Sequence, residues 1–190
     1  MKFLISIGLL SCSMMMVGQQ TVFKNDGSKM AVADVNVVAS KKRVEFKTNG
    51  KIGFVKFADV DSVVTDRKVL RRFTIGKKPK LYYVLAQEKD RVLGVISSKR
   101  NRDRGGFSSV VTLYEVVVIE NGKILKQISF TESRTESEGN RRGEFFALIS
   151  DFFPECTPLR NKVDLFRSEN DPTNMMFLKI LDEPEKINCK

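Results

Sequence analysis

Gly143–Phe153, GEFFALISDFF, decides the fold. Its apolar residues are Phe145, Phe146, Leu148, Ile149, Phe152 and Phe153. They follow the i, i+1, i+3, i+4, i+7, i+8 spacing of a helix with one broad apolar face. Such a helix needs an apolar surface to cover. The chain before it supplies one: short apolar or alternating runs separated by Gly, Asn and Lys turns, the pattern of strands joined in hairpins. Asn140 is placed to cap the helix, and Glu144 lies early, where a carboxylate suits the helix dipole. Pro154 ends it, because the residue before a proline avoids the helical region.

Downstream, Thr157-Pro158 is a second helix start, with Thr as the cap and Pro at the first position. Leu159, Val163 and Phe166 space its inner face. Asp171-Pro172 repeats the signal before the apolar run Met175–Leu181, which reads as a third short helix or a last strand. Upstream, Thr21–Lys24, Met30–Val38 (irregular near Asp34), Val44–Lys47 and Ile52–Phe57 read as strands, the last two around Asn49-Gly50. The segments Ala58–Val64 and Val69–Ile75 come next. Leu81–Gln87 and Arg91–Ser97 form a hairpin. Ser98–Gly106, SKRNRDRGG, has no periodicity and reads as a loop. Val110–Glu120 and Lys123–Phe130 flank Asn121-Gly122; Asn-Gly between apolar runs is the strongest local hairpin signal. Thr131–Arg142 reads as a polar loop. The expectation is an α+β fold: a mostly antiparallel sheet of about eight strands, followed by two or three C-terminal helices packed on it. Residues 19–190 would form one domain.

Residues 1–18 read as a secretory signal peptide: Lys2, an apolar Phe3–Leu10 continued by Met14–Val17, and a cut near Gly18-Gln19. As a membrane anchor the stretch is short and interrupted by serines. Leu9-Leu10-Ser11-Cys12 fits a lipid-attachment motif in part, which leaves Cys12 as a second route to the envelope. Once the leader is removed, Cys156 and Cys189 remain. In an oxidising compartment they are a disulfide candidate tying the chain's end to the segment after the helix.

The absence of histidine removes Ser–His–Asp and Cys–His catalysis and every His-based metal site. The chain has no nucleophile elbow, no P-loop and no dinucleotide fingerprint, and no cofactor or metal is expected. The one carboxylate pair of interest is Asp59 and Asp61, two apart on a strand and so on one face. It is a candidate for acid–base work on a glycosidic bond, or a solvated strand face.

Charge is more informative. Residues 67–104 contain thirteen Lys/Arg against Glu88, Asp90 and Asp103, which accounts for the whole formal net charge of +10. Arg71, Arg72, Lys77, Lys78, Lys99, Arg100, Arg102 and Arg104 are the candidate polyanion-binding residues, provided the fold gathers them. The competing reading is charge that keeps strand edges soluble. Specific nucleic-acid readout would need aromatics interleaved with the cations, and only Phe73 and Phe107 are near. Of Tyr82 and Tyr83, one ring should face the core and the other solvent.

The order of KFADVDSV (Lys56–Val63), LYYVL (Leu81–Leu85), YEVVVIENGK (Tyr114–Lys123) and FFPEC (Phe152–Cys156), behind a signal peptide, resembles small exported proteins of Bacteroidota that have no assigned activity. The resemblance implies an exported bacterial protein and transfers no catalytic residue. The expected function is non-catalytic binding at the cell envelope, the partner being an anionic glycan, lipid or other polyanion, or an envelope protein. A hydrolase using Asp59 and Asp61, or a structural subunit joined through an edge strand, are the alternatives.

Overall fold

Local turn chemistry builds the C-terminal half of the sheet. In this computed structural model Asn121 and Gly122 have φ +51° and +74°. Positive φ at both positions is what the type I′ turn needs, a two-residue hairpin turn whose twist matches its strands. That turn joins β10 (Phe107–Glu120) to β11 (Lys123–Thr131), with Glu120 opposite Lys123. The structure describes residues 20–48, 50–76, 78–104, 106–131, 141–167, 180–181 and 186–189, without the side chains of residues 100, 102–104, 107, 108, 142, 166 and 167. The expected leader, Cys12, Lys77, Asn140 and most of the third helix or strand expected at Met175–Leu181 lie outside the described residues; Ile180 and Leu181 are helical.

Twelve strands and two α-helices lie among the described residues. The strands before β10 are β1 (Gln20–Lys24), β2 (Lys29–Val32), β3 (Asp34–Val38), β4 (Arg43–Thr48), β5 (Lys51–Lys56), β6 (Val60–Val64), β7 (Val69–Ile75), β8 (Lys78–Glu88) and β9 (Arg91–Arg104). Helices α1 (Arg142–Phe152) and α2 (Thr157–Arg167) follow β11, and β12 (Ile187–Asn188) comes last. The large sheet runs β11-β10-β9-β8-β7-β6-β1-β2, with β12 parallel beside β8; β3-β4-β5 form a second sheet. All other pairings given for the strands are antiparallel.

The antiparallel sheet with helices after most of its strands is as expected. The large sheet has nine strands, in keeping with the about eight expected, and three further strands form the second sheet. The run Met30–Val38 is two strands, and the chain changes sheets at Ala33, whose N–H bonds the Lys47 carbonyl at 3.0 Å. The irregularity near Asp34 is that crossing. Ser98–Gly106, expected as a loop, is strand as far as Arg104, because Ser98–Arg104 pairs with Phe107–Leu113.

Three apolar clusters result, the smallest formed by Tyr82, Val117 and Ile119. The helices cover β8–β11, burying Phe145, Phe146, Leu148 and Ile149 against Leu93, Val116, Val118 and Phe130. Each fully buried Phe or Leu contributes about 1.5–3 kcal/mol. Phe152 is only half-buried; its carbonyl accepts from Arg91 at 2.6 Å, which fastens the helix end to β9. The small sheet covers the other half through Val22, Val32, Val44, Val55, Val60 and Val63. Thr157, read as a cap, is already helical.

Cys156 and Cys189 form a disulfide with Cα atoms 4.8 Å apart. It fixes the start of α2 to β12, and the Cys189 N–H bonds the Gln87 carbonyl at 3.2 Å.

Candidate functional site

The sheet splits along one seam. β9 pairs with β8 from Arg91–Glu88 to Val95–Tyr83, and no pairing is described beyond that point. From Lys78 to Tyr82, β8 continues against β7, whereas β9 continues to Arg104 against β10 alone. β11 leaves β10 at Leu113. Two features follow. Residues 98–104 and 107–112 form a two-stranded arm beyond the body of the sheet. At the arm's base a cleft opens between β8 and β9.

The arm carries the densest part of the basic block. Lys99, Arg100, Arg102 and Arg104 are paired in register with Thr112, Val111, Ser109 and Phe107, none of them charged. Asp103 is the arm's one carboxylate. The strand period puts positions 100, 102 and 104 on one side of the arm in steps of about 6.8 Å, with 99, 101 and 103 on the other. Among the described residues outside the arm, some cations meet acids: Arg91 pairs with Glu120 at 2.7 Å, Lys80 with Glu115 at 2.8 Å, and Arg43 with Glu45.

The eight predicted site residues are therefore not gathered in one place. Arg71 and Arg72 are half-buried in the middle of the large sheet on β7, and the buried Arg72 Nε has no hydrogen-bond partner among the described residues. Lys78 starts β8 beside the cleft. Lys77 is outside the description, and only Lys99, Arg100, Arg102 and Arg104 share the arm.

The cleft has a volume of about 510 Å³. Its walls include Val37, Phe57, Leu70, Leu81, Val95 and Leu181, and Lys42, Lys68 and Lys78 stand among its polar groups. Glu115 also lines it, held by Lys80 and by the Tyr82 hydroxyl, which donates at 2.5 Å. Burial first, then the hydrogen bond to the Glu115 carboxylate and its charge, hold the Tyr82 phenol well above its ordinary pKa. Tyr82 and Tyr83 are both buried, which corrects the expectation of one exposed ring. Tyr83 joins the core under the helices, and Tyr82 packs on the opposite face with Val117 and Ile119. Of the lysines at the cleft, Lys42 and Lys68 were not singled out by sequence; Lys42 reaches the cleft from the turn between β3 and β4, and Lys68 from the turn before β7.

Asp59 and Asp61 are both exposed. Asp59 ends a single 3-10 turn, and Asp61 lies on β6 with the Ser62 hydroxyl donating to it at 3.0 Å. A shallow groove of about 440 Å³ is lined by Asp59 with Asp26 and Lys56; Asp61 does not line it. Among the described residues no group of three acids or cysteines is placed to hold a metal, and no helix is long and apolar enough to cross a membrane. Compared with protein-family models, curated proteins and solved structures, the chain matches none.

Proposed function

We propose that the protein is an exported, non-catalytic binding protein that holds an anionic polymer of the cell envelope against the β9–β10 arm. One observation carries the reading: four cations stand in register on one strand of a two-stranded arm, and the partner strand offers no carboxylate to neutralise them. Net positive charge concentrated on such a two-stranded ribbon raises the local concentration of a polyanion. The disulfide is compatible with export, and the resemblance to exported Bacteroidota proteins belongs to the same proposal.

Heparin serves as the test polyanion. The arm variant carries Lys99→Ser, Arg100→Ser, Arg102→Ser and Arg104→Ser. The control removes the same charge elsewhere, at the exposed Lys29, Lys47, Lys51 and Lys126. The arm variant should lose at least about tenfold in affinity, since polyanion affinity tracks the cations in contact. The control should stay within about threefold of the parent. Equal losses in the two would reduce the effect to net charge and remove the arm as the site.

A further inference from the structure

The cleft at the base of the arm has no part in polymer binding as argued above, and its chemistry is different. At about 510 Å³ it lies within the size range of ligand pockets. Its apolar wall is drawn from both sheets: Val37 and Phe57 from the small-sheet side, Leu70, Leu81 and Val95 from the large sheet. Its polar groups are mainly cationic. Among the described residues no carboxylate pairs with Lys42, Lys68 or Lys78. The one carboxylate on the wall, Glu115, is already bound by Lys80 and Tyr82. Lys68 Nζ lies 5.1 Å from the centre of the Tyr83 ring, so its charge sits where the apolar wall meets the polar one.

The seam also disfavours an added strand. On β8, Pro79 has no N–H to donate, and Lys78 and Lys80 flank it. Proline and lysine on a strand edge are the means by which sheets refuse further pairing. A small molecule therefore fits the opening better than an extended peptide. We propose that the cleft binds one molecule of an amphiphilic anion, an aliphatic carboxylate. Its chain lies along Leu70, Leu81 and Val95, and its head is taken by Lys42, Lys68 and Lys78. No bond is made or broken; the site holds its ligand.

The test is calorimetric titration of the full mature protein at low salt with three probes: decanoate below its micelle concentration, decanol (the chain without the charge) and acetate (the charge without the chain). Decanoate should bind one to one, at least about tenfold more tightly than decanol, and acetate should show no binding. A Lys42→Met, Lys68→Met, Lys78→Met variant should lose about tenfold for decanoate and leave decanol unchanged, because hydrogen bonds to ionised groups are the strong ones. Ser97→Trp, at a position on the cleft wall, should block both chains. No saturable decanoate binding, or equal affinity in the triple variant, overturns the proposal. The heparin measurement separates the two readings. The arm variant should keep decanoate binding within about twofold, and the triple Met variant should keep heparin binding within about threefold.

Discussion

Removing the Cys156–Cys189 bridge should destabilise the fold by an amount the topology sets. The bridge closes a loop of sequence separation 33. In the chain-entropy treatment a loop of that length contributes about 3.7 kcal/mol at 25 °C by restricting the unfolded chain. Little else holds the C-terminal strand: β12 pairs with β8 at only two positions, Ile187–Ala86 and Asn188–Gln87. The Ile187 side chain is buried in the helix-covered core, so losing the strand also opens that core. For a domain of this size each kcal/mol shifts Tm by about 2–4 °C. The variant Cys156→Ala, Cys189→Ala should therefore melt about 7–15 °C below the oxidised parent by scanning calorimetry, and the reduced parent should behave alike. Hydrogen exchange should show the Cys189 amide, bonded to Gln87 in the parent, losing protection well below global unfolding. Coincident melting of oxidised and double-Ala protein, within about 2 °C, would refute the view that the bridge anchors β12.

Other outcomes follow from single contacts. Phe145→Ala, at a fully buried ring, should cost about 3–5 kcal/mol, whereas Phe152→Ala at the half-buried helix end should cost under about 2 kcal/mol, both read from urea midpoints. Gly94→Ala would place a Cβ 3.1 Å from both Tyr82 Cβ and Val117 Cγ2. That crowding should destabilise by about 1–2 kcal/mol, and an unchanged urea midpoint would show that the seam yields. The raised Tyr82 pKa has a definite sign. The folded state keeps the phenol proton after the unfolded chain loses it near its ordinary value of about 10, so this group's stability is full below about pH 10 and falls as pH rises above it. The parent should lose up to about 1.4 kcal/mol per pH unit more than Tyr82→Phe between about pH 10 and 11.5; parallel curves for the two proteins would contradict the assignment.

The parts legible in the sequence are those with local causes. The Asn121-Gly122 turn carries its own backbone requirement, and the spacing of Phe145 to Ile149 defines a helix without reference to anything else. The disulfide was legible because Cys156 and Cys189 are the only cysteines beyond the stretch read as a leader. Sheet membership is non-local: the irregularity near Asp34 marks a break in Met30–Val38 but does not tell that its halves pair in different sheets. Ser98–Arg104, SKRNRDR, has poor strand propensity and becomes strand only because Phe107–Leu113 pairs with it. β12 is two residues long and owes its place to the bridge. Tyr82 and Tyr83 misled for a related reason: alternation implies one wet face, but both faces of β8 are covered at that point. The cleft depends on where β8 and β9 part company, a matter of register that neither strand's composition records. The basic block was legible as charge and not as geometry, since β7 keeps Arg71 and Arg72 in the middle of the large sheet and Lys78 starts β8, while β9 carries only Lys99, Arg100, Arg102 and Arg104 out along the arm.

The most direct test of polyanion binding at the arm is the salt dependence of heparin affinity in the parent and in the Lys99, Arg100, Arg102, Arg104 to Ser variant. Each neutralised charge on a polyanion contributes about −0.7 to −0.9 to the slope of log K against log salt. If all four cations touch the polymer, the variant's slope should be shallower by about 3. Identical slopes, with affinity lost or kept, would contradict it.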